Sequence, residues 1–135
     1  MAESQLHLRM KEFASRELER EGYSIFTEPA WAPSRFLTWR GYRPDLFGMI
    51  SAGVRQDYVI VECETRPSER KLSAKNFLSV SIQSRLDSRL SLRRILVVPR
   101  GTLAKVDSSV RYMWETWIFE GSRFQVFPTA LPCPF

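Results

Sequence analysis

Only two cysteines and one histidine occur among the 135 residues of this chain, and each shortage closes off a chemistry. Cys63 and Cys133 offer neither a disulfide framework nor the paired spacing of a zinc finger, and read as packing and tail residues. His7 has no second histidine with which to build a nitrogen-rich metal site, which argues against it as a ligand. Long apolar runs are missing too. The first turns of the chain are broken by Glu3, Arg9, Lys11, Glu12, Arg16, Glu17, Glu19 and Arg20, so no apolar signal-peptide core forms, and nothing later approaches a membrane span. An intracellular, cytoplasmic protein without membrane contact is expected. There is no internal repeat, low-complexity run or linker. With 44% hydrophobic and 13% aromatic residues, the chain is long enough for one packed domain over 1–135 and too short for two ordinary ones.

Basic residues outnumber acidic ones, giving a formal charge of +5. The distribution says more than the total. Between positions 66 and 94 stand Arg66, Arg70, Lys71, Lys75, Arg85, Arg89, Arg93 and Arg94 against only Glu69 and Asp87. Such a stretch attracts a polyanion, or simply keeps a helix face solvated.

The order of elements reads as α/β. Residues 4–21 have helical spacing, with Leu6, Met10, Phe13 and Leu18 as an apolar stripe and Gly22 as its stop. A strand over 23–27 follows, and then a long irregular stretch, 28–43, in which Trp31, Phe36, Trp39 and Tyr42 alternate with Arg35, Arg40 and Arg43. Aromatics beside arginines suit base stacking with phosphate pairing, while the tryptophans equally suit an inward mini-core over a sheet. Strands are expected over 45–51 and 58–64, the second apolar on both faces up to Glu62 and therefore central. A helix should begin after Pro67, capped by Ser68, and run to about Leu90, followed by a buried strand over 95–98. Val110, Met113, Trp114, Trp117 and Ile118 predict a last helix over 107–119, and 124–127 an edge strand.

Chemistry concentrates in Pro44-Asp45 and in Val59-Ile60-Val61-Glu62-Cys63-Glu64. Side chains alternate along a strand, so Glu62 and Glu64 share a face, and Asp45 at the start of the neighbouring strand is placed to join them. Three carboxylates are a hard, oxygen-only donor set for magnesium or manganese, ions that bind phosphate oxygens and lower the pKa of a bound water. Chance also produces such spacings in a chain with 15 acidic residues.

Helix, three strands, helix and strand, with Pro-Asp opening the second strand and acid-x-acid ending the third, resembles the PD-(D/E)XK nuclease superfamily. The small archaeal Holliday junction resolvases are similar in size and layout. The resemblance covers about residues 3–100 and implies a restriction-endonuclease-like αβββαβ core, a mixed central sheet flanked by helices, and a metal-dependent DNA endonuclease, with a homodimer suggested by two-strand cutting. By the same resemblance Asp45 matches the metal-binding aspartate and Glu62 the first acid of the (D/E)xK pair. Glu64 stands where the family usually has lysine. Some superfamily restriction enzymes have glutamate there and remain active, whereas many relatives lacking the lysine do not. Glu64 is then a general base or a further metal ligand, and Lys71 or Lys75 from the next helix is a source for the missing ammonium. Many relatives add an acid from the first helix, for which Glu12, then Glu3, is the candidate.

Three functions compete on these residues. One is the magnesium- or manganese-dependent endonuclease with Asp45, Glu62, Glu64 and Glu12 at its site and Arg66, Arg70, Lys71, Lys75, Arg35, Arg40 and Arg43 on DNA. Another is a non-catalytic nucleic-acid-binding module of the same fold. The third is a structural or protein-interaction domain, supported by a tryptophan-rich last helix.

Overall fold

The computed structural model describes residues 4–26, 44–52, 55–83, 91–102, 106 and 108–129. Helix α1 (Gln5–Arg20) starts at Ser4, whose side-chain oxygen accepts the His7 backbone N–H at 3.1 Å and so satisfies a donor that the first turn leaves without a partner. It ends before Gly22, whose φ of 103° belongs to the left-handed region that glycine enters without penalty. Met10, Ala14 and Leu18 are its buried positions.

Six strands form one sheet in sequence order: β1 (Ser24–Phe26), β2 (Leu46–Ala52), β3 (Arg55–Cys63), β4 (Ser91–Pro99), β5 (Glu115–Phe119) and β6 (Phe124–Phe127). The β1–β2, β2–β3 and β5–β6 pairs are antiparallel, whereas β3–β4 and β4–β5 are parallel. Parallel neighbours need crossovers, and helices α2 (Glu69–Gln83) and α3 (Ser108–Met113) lie within them. The result is the α/β order expected, with a mixed sheet between helices.

Alternation along the strands sorts the apolar residues into two layers. Val59, Val61 and Cys63 of β3 join Ile95, Val97, Trp117 and the buried stripe of α1. Tyr58 and Ile60 join Leu96, Trp114 and Ile118 with Leu72 of α2 and Val110 of α3. β3 is buried on both faces from Tyr58 to Cys63, which is why its sequence shows no alternation. Among the described residues no helix is long and apolar enough to cross a membrane.

The last helix is shorter than its spacing predicts. α3 stops at Met113, and residues 115–119 form a strand instead. Thr116, Trp117, Ile118 and Phe119 are all buried, so both faces of β5 are covered and its spacing mimics a helix. Trp114 and Trp117 are each 1% exposed, so they fill the core and present no helical interface. The strands at 91–99 and 55–63 are likewise longer than expected, and the stretch of α2 assigned to 84–90 lies outside the described residues, as does the aromatic stretch 28–43.

Arg93 has a structural post. On the α1 face of β4, its guanidinium pairs with both carboxylate oxygens of Glu115 and reaches Glu21 at 2.9 Å, joining β4, β5 and the end of α1. The bond to Glu115 lifts its pKa above the ordinary arginine value against the opposing effect of burial. Arg94 is pushed the other way by burial.

Gly48 tests the packing between β1 and β3. A Cβ there would come within 2.6 Å of Ile25 Cδ1 and 2.8 Å of Val59 Cγ1. Ile25 can move its chain end, but Val59 is β-branched and buried. Gly48→Ala is therefore expected to destabilise by about 1–3 kcal/mol in denaturant unfolding, and an unchanged midpoint would show that the strands separate freely.

Candidate active site

The site grows from the point where β3 outruns β2. The last pair in the ladder is Leu46 with Val61, so the backbone N–H and C=O of Cys63, which point toward β2, meet no strand there. Two side chains replace it. Asp45 Oδ2 accepts the Cys63 N–H at 2.8 Å, and the His7 ring nitrogen Nε2 donates to the Cys63 carbonyl at 3.1 Å. His7 Nε2 also lies 3.6 Å from Asp45 Oδ2. On the other edge the ladder continues, with Glu64 N–H donating to Val97 O at 2.9 Å.

The opposite face carries the two glutamates. Glu62 follows Ile60 in the alternation and is 1% exposed. A carboxylate so far from water needs a cation, and Lys75 Nζ donates to Glu62 Oε2 at 2.5 Å. The same ammonium is 3.4 Å from Glu64, and Lys71 Nζ approaches Glu64 at 3.7 Å. Lys71 and Lys75 are one turn apart on α2 and so share a side. That helix is set at its start by Ser68, whose Oγ accepts the Lys71 N–H at 3.3 Å. Burial pulls the Lys75 ammonium toward neutrality, but Glu62, by charge and by hydrogen bond, and then Glu64 and Asp45 outweigh it, leaving its pKa above the ordinary lysine value. Burial, then Asp45 and Glu62, raises the Cys63 thiol well above its usual range, which favours the neutral thiol packed in the layer under α1.

Asp45, Glu62 and Glu64 lie at the same end of the sheet in two separate subgroups, Asp45 with His7 and the glutamates with Lys75 and Lys71. Glu12 does not join them. It projects from the exposed side of α1 and pairs with Arg16 at 2.5 Å, while the helix turns His7 toward the sheet end. The sign was present in the sequence, since His7 stands one turn before Lys11 and two before the buried Ala14. Arg66, Arg70 and Lys71 are exposed around α2, whereas Arg93 is committed to its clamp. Arg35, Arg40, Arg43 and Glu3 lie outside the described residues. A cleft of about 250 Å³ between α1 and β6 holds Arg16, Arg20 and Arg123, but each is paired with a glutamate and the cleft lacks the site's carboxylates.

As a donor set, the carboxylates and the Cys63 carbonyl are the hard oxygens that magnesium and manganese take. In type the site fits such an ion. As the side chains stand, no group of three His, Cys, Asp or Glu among the described residues is gathered to hold one, and Glu62 and Glu64 face an ammonium.

No family model and no curated protein matches this chain. Among solved structures it is similar to an XisH family protein from Nostoc punctiforme, at 14% identity and a TM-score of 0.49, over 87% of this chain and 98% of that one. It is similar also to an FdxN element excision controlling factor protein from Anabaena variabilis, at 12% identity and a TM-score of 0.49, over 92% and 99%. At identities this low, neither activity nor partner transfers.

The Lys75 pair makes a stability prediction. Removing the ammonium strands Glu62, so Lys75→Met is expected to lose on the order of 3 kcal/mol at neutral pH, and Lys75→Met with Glu62→Gln to recover most of it. The raised folded pKa means that this stabilisation is complete below about 10.4, the unfolded lysine value, and is lost as pH rises through the folded one. Urea unfolding at neutral and alkaline pH checks both; a Lys75→Met variant as stable as the wild type would dissolve the pair.

Proposed function

We propose that this chain is a metal-dependent nuclease that hydrolyses phosphodiester bonds in DNA, and that Lys75 does from α2 what the lysine of a (D/E)xK strand does in the family that the sequence resembles. The observation carrying this reading is the buried Lys75 ammonium on Glu62, beside Glu64, at the same sheet end as Asp45. Acid, acid and ammonium are all present, although the strand itself reads Glu62-Cys63-Glu64.

Each side chain has a part that its surroundings suit. Asp45, Glu62 and Glu64 would supply the oxygens for magnesium or manganese, which when bound provides Lewis acidity toward a phosphate oxygen and a water of lowered pKa. Lys75 balances the carboxylates and sits close enough to orient a water or meet charge developing on phosphate. The Glu64 side chain is 16% exposed against 2% for that of Glu62, so it is the glutamate that a water to be activated can reach. Arg66, Arg70 and Lys71 project from the start of α2, where the phosphate backbone would lie.

The second reading keeps nucleic-acid binding without hydrolysis. The Lys75–Glu62 pair favours it, since a carboxylate neutralised by lysine attracts metal less strongly. A structural or interaction domain loses its main support with Trp114 and Trp117 in the core.

Cleavage decides between them. Magnesium or manganese should enable the protein to cut plasmid, flapped or branched DNA. Asp45→Asn, whose amide oxygen still accepts the Cys63 N–H, should abolish cutting in a folded protein, and Glu64→Gln should slow it by about 100- to 10,000-fold. A wild type inactive on all three substrates with either metal, yet still binding DNA, would leave the binding module.

Binding itself should weaken steeply with salt, and replacing Arg66, Arg70 and Lys71 with alanine should flatten the log–log salt slope by about one for each contact removed. An unchanged slope moves the phosphate contacts to Arg35, Arg40 and Arg43.

A further inference from the structure

We propose that the outer edge of β6 and the cleft beside it bind an extended, acidic peptide segment of a partner protein as a further strand of the sheet. The proposal stands apart from the nuclease reading, since neither the edge nor the cleft contains a residue of that site. β6 is the last strand in the order, and among the described residues it borders only β5. The hairpin between the two decides which backbone groups are left over. Glu120 N–H donates to Arg123 O at 2.9 Å, so the bonded pairs of this ladder are Glu120 with Arg123, Ile118 with Gln125 and Thr116 with Phe127. Phe124 and Val126 alternate with these and aim their backbone N–H and C=O away from β5, where an added strand would meet them.

The side chains at the same two positions lie on the α1 face. Phe124 packs there on Trp117 and Phe119, with ring centroids 5.0 and 5.5 Å apart. Val126 is 50% exposed, an apolar side chain left half in water at the sheet edge. Beside it opens the cleft of about 250 Å³ between α1 and β6, to which Phe13, Phe124 and Val126 give an apolar lining. Strand addition needs these two elements together: a row of outward backbone groups for the ladder, and a hollow for every second side chain of the guest. The edge is also short and guarded. Arg123 precedes it, and Pro128 follows it with no N–H to carry the ladder on. A short segment fits such an edge, whereas open-ended stacking of chains does not.

Charge selects among the occupants. Arg16, Arg20 and Arg123 line the cleft against one glutamate, Glu17. Within the chain Arg16 pairs with Glu12, Arg20 with Glu17 and Arg123 with Glu120, but these arginine side chains are 57%, 75% and 79% exposed, and ion pairs so open to water hold weakly. A carboxylate arriving on the added strand can share them. A second copy of this chain suits the edge less well, because it brings the same three arginines and a net charge of +5 to a surface already positive. The fitting segment alternates, with acidic residues on either side of one apolar residue along the face toward α1.

A blocked peptide, Thr-Glu-Thr-Phe-Thr-Glu-Thr, carries that pattern and serves as the probe. It should bind the full chain in fluorescence anisotropy, and in nuclear magnetic resonance it should slow hydrogen exchange at the Phe124 and Val126 amides, while Gln125 and Phe127, already bonded to β5, change little. Val126→Pro, tolerated on an edge strand where the N–H faces outward, should weaken binding by about tenfold or more. Arg16→Gln combined with Arg20→Gln should weaken it too and flatten its salt dependence. The exchange measurement uses the wild type, so a fold disturbed by Val126→Pro leaves the test intact. No binding, binding that leaves exchange at Phe124 and Val126 unchanged, or equal binding of the peptide with lysine in place of both glutamates would overturn the proposal. Protection of the two amides that grows with protein concentration in the absence of peptide would overturn it in favour of a second copy.

Discussion

A carboxylate sealed from water at the end of an apolar strand survives only if a cation meets it, and the contact between Glu62 and Lys75 is the constraint on which the site depends. Everything around it serves that meeting. β3 must be central and covered on both faces to bury Glu62, and β4 must run parallel to β3 so that the chain crosses over through a helix. That helix starts within a few residues of Glu64, capped by Ser68, which brings Lys71 and Lys75 back over the strand they follow. The ammonium is thus delivered by topology, from a helix fixed by its own N-cap.

The other half of the site comes from an imperfection in the sheet. β2 begins at Leu46, two residues too late to pair with the end of β3, and Asp45 and His7 take up the backbone groups left over. Side chains that stand in for a strand are held on fixed partners, and fixed polar groups at a strand end are what a reactive site requires. In the proposed mechanism Asp45 combines a structural role with a chemical one, which is why an isosteric amide is the informative substitution and alanine is not.

How much of this was legible depended on which physical signal carried it. β3 was readable because an apolar run of that length ending in two acids admits few interpretations, and the Pro-Asp pair marked where its neighbour begins. Residues 115–119 were misread because a strand buried on both faces has no alternation to show, and Trp114, Trp117 and Ile118 happen to fall at helical intervals. On α1 the inward face turns on Ala14, a small residue that contributes little to an apolar stripe judged by Leu6 and Phe13; with Met10, Ala14 and Leu18 buried, His7 faces the sheet and Glu12 faces solvent. A lysine thirteen residues beyond its partner is visible in the sequence, but only a fold shows that the two meet.

Moving the ammonium back to the strand tests the central claim most directly. DNA cleavage by Lys75→Met is to be compared with cleavage by Lys75→Met combined with Glu64→Lys, both shown to be folded by circular dichroism. The account predicts that the single variant loses cleavage and that the double variant, with its lysine two residues after Glu62, regains part of it. Undiminished cleavage by Lys75→Met would contradict it, because the ammonium on Glu62 would then be only a structural counter-ion.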